Sequence, residues 1–342
     1  MFHLTNDTPF ATQMCIFPNR QGIDTLFVIV KATYSLMDKM SVAENQQPIL
    51  RDDVYWGEPG QSSLKYPADV HPEKPGTDVI VVGETTAPDG QPMLQLQVSI
   101  SIAGRVCHLA VFGDRQWDKG LMYTKPGQPK PFTRMPLVYE RAFGGGCEIE
   151  GKNKRLAYEE KNPVGKGFID KQSRKDPANL ALPNIEDVKN LIRTLQDRPV
   201  PKGFGAIAPG WQPRASFAGT FDETWRKTRA PYLPEDFDPR FYHAANPDLI
   251  FAEYLKGGEP VILVNMSPKG RLSFTLPQDE PKIEVDVTGR FEIVKAHLET
   301  VLIEPTDERL CLTWKATLST GKKITGAKAE VRLQAQLVNS EW

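Results

Sequence analysis

The side chains in this sequence that could do chemistry are few and scattered. Five histidines stand at His3, His71, His108, His243 and His297, and no two have the HExxH or HxH spacing that gathers imidazoles on one metal. The four cysteines, Cys15, Cys107, Cys147 and Cys311, form no CxxC and no dense framework, so neither a disulfide scaffold nor a structural zinc site is indicated. Cys147 could act as a nucleophile with His243 as its base only if the fold brought them together. Cys107, beside His108 in an alternating run, reads as a small core residue. Gly165-Lys166-Gly167 lacks the spacing of a phosphate-binding loop, and no GxGxxG follows a strand and opens a helix. Gly144-Gly145-Gly146 could form an oxyanion-hole loop, but no GxSxG elbow exists to use it, and tight backbone geometry is the plainer reading. Glu140 and Asp236 could serve as acid and base of a polysaccharide hydrolase, although nothing in their spacing favours facing carboxylates. No catalytic residue, metal ligand or cofactor is therefore assigned.

A second group is denser. Between Asp114 and Tyr242, arginines and carboxylates lie among aromatics: Glu140-Arg141 beside Phe143, Trp211 near Arg214, Asp222 near Trp225, and Asp238 with Arg240. A planar guanidinium suits both ion pairing and stacking. One reading is that these groups tie long loops to a sheet. The other is a recognition surface, since Arg and aromatics are enriched where proteins meet. On the second reading the partner-binding residues are Arg141, Phe143, Trp211, Arg214, Trp225 and Arg240. Trp211 and Trp225 could also form the aromatic platform of a β-sandwich carbohydrate-binding module.

The stretch that carries them, Pro136 to His243, is punctuated by Gly and Pro every few residues, which excludes long helices and inner strands. Its Trp, Phe, Tyr and Arg content distinguishes it from a disordered linker. It reads as a long ordered loop region that must pack on something, and the flanking thirds supply alternating, strand-sized runs. These are Thr12–Phe17, Thr25–Leu36, Asp78–Gly83, Leu94–Ile102 and Val106–Phe112 before it. After it come Glu259–Met266, Arg271–Leu276, Ile283–Val287, Phe291–Ile303, Leu310–Leu318 and Ala329–Val338. Turns are expected at Pro18–Asp24, Ala103-Gly104 and Ser267–Gly270. The one good helix candidate is Ile185–Leu195, with five apolar residues on one face and Asn184 as N-cap. The expected fold is mainly β, a β-rich α+β arrangement of antiparallel sandwich- or barrel-like sheets with a loop-rich insertion and one or two short helices.

The 342 residues carry 40% hydrophobic and 25% charged side chains with a formal net charge of −1. That suits a soluble globular protein and gives no general electrostatic case for nucleic acid or an acidic membrane. A local excess of eight Lys/Arg over three Asp/Glu in Gly151–Lys175 reads first as a solvated excursion, and second as a contact for an acidic partner. No secretory signal or apolar run of spanning length is visible, so membrane insertion is not expected and the cytoplasm is the expected location.

Many ordered blocks of the chain resemble one family. They include Asn6–Phe10, Val30–Tyr34, Tyr66–Val70, Lys74–Val79, Gly113–Arg115, Tyr139–Gly145, Asn162–Phe168, Leu182–Glu186, Gly203–Gly205, Trp211–Arg214, Gly219–Asp222, Trp225 and Leu233–Phe241. Together they are similar to the DUF-named family encoded beside the spike genes of bacterial type VI secretion systems, next to PAAR-like and VgrG genes. The resemblance covers residues 1–276, a family-like β-rich adaptor domain whose loop-rich middle spans 113–258. Residues 277–342 read as a C-terminal β-rich extension packed on the same body. The resemblance implies an adaptor or chaperone without enzymatic activity. Such a protein would bind and stabilise a secreted effector, often one fused to a PAAR-like spike-tip protein, and help load it on VgrG. It carries over no catalytic residues.

Overall fold

The computed structural model describes residues 2–19, 21–37, 39–120, 124–149, 155–171, 176–319, 321 and 323–333. Among these residues the protein is mainly β, with several open sheets and one α-helix, Glu223–Thr228.

The largest sheet has seven strands. In spatial order they are Ile250–Phe251, Thr77–Val81, Ala296–Glu304, Arg309–Ser319, Asp24–Ser35 and Ala11–Pro18, with Ser41–Val42 paired to the end of Asp24–Ser35. The β-branched and aromatic run from Thr25 makes its long inner strand, and the turn after Pro18 returns it antiparallel to Ala11–Pro18 as expected. Thr77–Val81 pairs in parallel with Ala296–Glu304; the other pairings in this sheet are antiparallel.

A strand shows alternate residues to opposite faces, so register assigns the faces of this sheet. Val28, Val30, Ala32 and Tyr34 stand opposite Ala316, Trp314, Leu312 and Leu310 on one face. Val301 and Ile303, then Val79 and Val81, continue it. All are buried, and this face belongs to the main hydrophobic core. The other face carries Lys31, Thr33, Cys311, Thr313, Lys315, Thr300 and Asp78, which are buried as well.

A five-stranded sheet runs Ile185–Asp187, Arg105–Phe112, Gln95–Ile102, Pro260–Val264, Arg271–Thr275. The alternation read in Leu94–Ile102 is its central strand. Ala103 (φ 47°) and Gly104 (φ 76°) turn the hairpin with the two positive φ values that a right-twisted pair favours. A four-stranded sheet runs Phe2–Asn6, Ala327–Leu333, Pro281–Asp286, Phe291–Val294, its first pair parallel. Buried residues of all three sheets join one hydrophobic cluster.

Two expectations need correction, and a third holds in type. Ile185–Leu195 is not a helix. Ile185–Asp187 pairs with Arg105–Phe112 at the sheet edge, and the residues after it are irregular. Asn184 caps no helix; its Nδ2 donates to the Phe112 carbonyl and to Asp114 Oδ1, both at 3.0 Å. Buried Glu186 accepts from Arg115 and from the Ile192 N–H, so tertiary pairing overrides the helical period. Second, Phe291–Ile303 is two strands in two sheets, divided at Lys295. Third, the last run is a strand from Ala327 to Leu333, and its remainder lies outside the described residues.

The loop-built middle is held by backbone contacts that its glycines permit. Gly144 has φ +149°, and a Cβ there would lie 2.1 Å from the Asn162 carbonyl oxygen. Buried Asn162 donates from Nδ2 to the carbonyls of Tyr139 (2.8 Å) and Phe143 (2.9 Å), while Gly145 N–H donates to the Asn162 carbonyl (2.8 Å). Two sequence blocks, Tyr139–Gly145 and Asn162–Gly167, thus lock together through Phe143–Gly144 and Lys166–Gly167. Parts of the basic Gly151–Lys175 stretch, residues 151–154 and 172–175, lie outside the described residues.

Asn162→Ala would leave the buried Phe143 carbonyl without a donor and take one of two donors from the Tyr139 carbonyl, which keeps the Ala142 N–H. It is expected to lower unfolding stability by on the order of 3 kcal/mol, read from the urea midpoint. An unchanged midpoint would show that water replaces the amide.

Candidate functional site

The polar face of the seven-stranded sheet places ionic groups in the buried interior. Lys31 donates to Asp69 Oδ2 at 2.8 Å, and Asp69 also accepts from the Leu50 N–H. Lys74 Nζ donates to Asp78 Oδ2 (2.9 Å) and Thr300 Oγ1 (2.8 Å). Lys315 pairs with Glu299 at 2.8 Å and donates to the His71 carbonyl. A register shift between Leu298 and Thr300 leaves Glu299 without a cross-strand partner, and its other oxygen accepts from the Lys74 N–H. The bulge is what lets one carboxylate serve two elements.

Burial in this layer shifts proton affinities. Burial pushes Glu299 up and Lys315 down, each against the pull of its partner. Burial would also raise Asp78, but the Lys74 ammonium, the His243 ring and the Ala244 N–H together hold it at about 2. Burial, with the Lys315 and Lys74 ammonium groups nearby, holds His71 well below its ordinary 6.5.

The network borders one cavity at Lys31, Asp69 and Thr300, and a second, against the middle third, at His243. Its Nδ1 donates to Asp78 Oδ1 at 2.7 Å, and Nε2 makes no hydrogen bond among the described residues. His243 lines a cavity of about 310 Å³ together with Arg214 and Arg240. The remaining walls are apolar, formed by Ile207, Pro213, Phe217, Ala245, Ile250 and others. Arg214 is 9% exposed. Its Nε donates to the Phe241 carbonyl (2.7 Å) and Nη1 to the Ile207 carbonyl (2.9 Å), while Nη2 makes no hydrogen bond among the described residues. Burial lowers its proton affinity, opposed by the fields of Asp53 and Asp78, neither of which forms an ion pair with it. Arg240 lies over the Phe217 ring at 4.3 Å and pairs with Asp238 at 2.6 Å.

The six residues read as a recognition surface are placed differently from one another. Phe143 (2% exposed) packs with Trp117, Leu182 and Ile192 in a second core. Trp211 is buried edge-on against Tyr139, with centroids 5.7 Å apart. Arg141 is half-buried and donates to Asn184 Oδ1 at 3.2 Å. Arg214 and Arg240 meet at the cavity. Trp225 is half-buried on the Glu223–Thr228 helix, which Asp222 caps by accepting from the Trp225 N–H. Its ring meets Phe221, 55% exposed, at 4.8 Å, and its Nε1 donates to the Tyr232 carbonyl. Trp211 and Trp225 form no exposed platform, because Trp211 is interior.

The other chemical candidates are engaged elsewhere. Glu140 accepts from the N–H and Oγ of Ser63, both at 2.7 Å. Asp236 accepts from the N–H and Oγ1 of Thr220. Cys147 Sγ accepts from the Asp170 N–H, and no hydrogen bond joins it to His243 among the described residues. Around His243 the cavity wall offers no Ser, Thr or Cys, so the Asp78–His243 pair has no side-chain nucleophile to activate there. The sequence missed this pair. Asp78 lies in an apolar strand and His243 at the end of a Pro-rich loop, with 164 residues between them. Asp78 carried the one usable signal, a carboxylate inside a run that otherwise reads as fully buried.

Two outcomes test the network. Lys74→Met removes the cation beside Asp78 and is expected to cost about 3–5 kcal/mol of stability, measured by denaturant unfolding; a cost within about 1 kcal/mol would show the pair is dispensable. The pH dependence has a definite sign. A depressed folded pKa gives stability that is present above the unfolded value and lost as pH falls. For His71 that loss begins near 6.5, and for Asp78 it falls between about 4 and about 2. Melting temperature should decline already between pH 7 and 5, and His71→Gln should flatten that limb while keeping the steeper fall below pH 4.

Comparison with known proteins gives a single positive result. No curated protein and no solved structure matches the chain. The family described as "Uncharacterized protein conserved in bacteria (DUF2169)" matches residues 21–315. That match takes in the inner strands of the seven-stranded sheet, the ionic layer and the whole loop-built middle. The chain belongs to the DUF2169 family.

Proposed function

We propose that this protein is a non-enzymatic adaptor or chaperone. It binds and stabilises a type VI secretion effector, often one fused to a PAAR-like spike-tip protein, and assists its loading onto VgrG from the cytoplasm. The observation that carries the reading is the lobe built by residues 217–242. Its interior is anchored by Phe237, which packs on Phe241 and Tyr242. Its outer side holds Phe221, Trp225 and Tyr232, of which Phe221 and Tyr232 are exposed, and Arg240 lies over the Phe217 ring. Rigid aromatics held by a capped helix and internal hydrogen bonds lose little entropy on contact, which suits a docking surface. The resemblance to spike-associated adaptors supports the same reading.

The test is co-purification with the products of adjacent genes, above all a PAAR-like protein carrying a toxin domain. Client solubility is scored with and without this protein. A stable complex that keeps the client soluble is expected. Phe221→Ser with Tyr232→Ser should weaken it about tenfold or more without lowering the melting temperature. Absence of any association, and no effect on client abundance in cells, would sink the reading.

A further inference from the structure

We propose that the cavity between Arg214 and His243 is a binding site for a monocarboxylate carrying an apolar group. The inference does not depend on the adaptor reading. Three observations carry it. Arg214 is a buried cation whose hydrogen bonds go to two backbone carbonyls and to no carboxylate. A guanidinium so placed has given up water without gaining an anion, and one of its nitrogens, Nη2, stays uncommitted among the described residues. On the same wall, His243 has Nδ1 fixed as a donor to Asp78, so Nε2 of the neutral ring is an acceptor that suits a ligand N–H and leaves the carboxylate to Arg214. The rest of the wall is apolar, and about 310 Å³ is room for a side chain or short acyl chain.

These features select among anions. A carboxylate is planar and singly charged, and it matches one guanidinium edge. A phosphate would bring a second charge and more lone pairs into a wall that offers few donors. An inorganic anion would leave the apolar wall unused. Arg240 at the rim adds long-range attraction, although Asp238 already neutralises it. The same chemistry has two sources: a free acyl carboxylate, or the C-terminal residue of a polypeptide.

The experiment is calorimetric titration of the full chain with N-acetyl-L-phenylalanine, its primary amide, and hexanoate. At least one carboxylate is expected to bind, with the amide weaker by about tenfold or more. Binding by N-acetyl-L-phenylalanine alone identifies a polypeptide terminus as the source; binding by hexanoate alone, or equally by both, identifies the free acyl carboxylate. Arg214→Gln should weaken the acid about tenfold. Because Arg214 also ties two loops through their carbonyls, that variant is read only where its melting temperature is retained. Ala252→Trp provides the second arm, since Ala252 is an exposed wall residue that a large ring would fill. It should abolish binding in a protein that still melts normally. The proposal is overturned if neither carboxylate binds the folded protein at millimolar concentration. It is also overturned if acid and amide bind equally, or if Ala252→Trp leaves binding unchanged.

Discussion

The constraint on which this structure depends is a β-sheet with ionic groups on a face that cannot be left open. Lys31, Lys74, Asp78, Glu299 and Lys315 lie on or against one side of the seven-stranded sheet, all of them buried. Charges taken from water are tolerable only when paired and hydrogen-bonded on every side. Strand neighbours alone do not achieve that here. Asp69, His71 and Lys74 arrive from the segment before Thr77, and His243 and the Ala244 N–H arrive from the far end of the middle third. The polar face therefore explains why Gly- and Pro-rich segments are ordered. They complete a network that would otherwise be unsatisfied.

This dependence also accounts for which sequence features were legible. Alternation revealed Leu94–Ile102, and the two hairpins around Gly104 and Gly270, because those strands are polar on one side and local turns fix their pairing. Long apolar runs revealed Thr25–Leu36 and Leu310–Leu318. What periodicity could not show was a strand change at Lys295, where a chain with uninterrupted strand character leaves one sheet and enters another. Nor could it reject a helix at Ile185. The spacing of Ile185, Val188, Leu191, Ile192 and Leu195 is helical, but Glu186 on that segment is needed by Arg115 and by the Ile192 amide. A buried carboxylate with two claims on it decides the local backbone, and neither claimant lies within one helical turn of it.

The candidate site was legible in residue type more than in place. Arg beside aromatics is one sequence pattern, and it covers three situations. Phe143 and Trp211 are interior packing, Arg214 is a buried cation holding loop carbonyls, and Phe221 with Trp225 forms an outer lobe. Sequence cannot separate these, because the distinction is what stands on the other side of each residue. Asp78 and His243 were missed for the same reason, since their pairing exists only after the middle third folds back over the sheet.

That folding back links the two surfaces on which functional proposals rest. The 217–242 lobe ends at Tyr242, whose ring stacks on His71 at 5.3 Å, and His71 in turn receives Lys315. His243, the next residue, closes on Asp78. The lobe is thus rooted in the ionic layer through adjacent residues, and Arg214, just before it, ties its far end at Phe241 to Ile207 by donating to both carbonyls. A ligand engaging the uncommitted Nη2 of Arg214 would add a third partner to a group that already fixes the base of the lobe. Occupancy of the cavity and the stance of the outer aromatics share that one guanidinium, so the proposed docking surface and the proposed cavity site stand on the same residue.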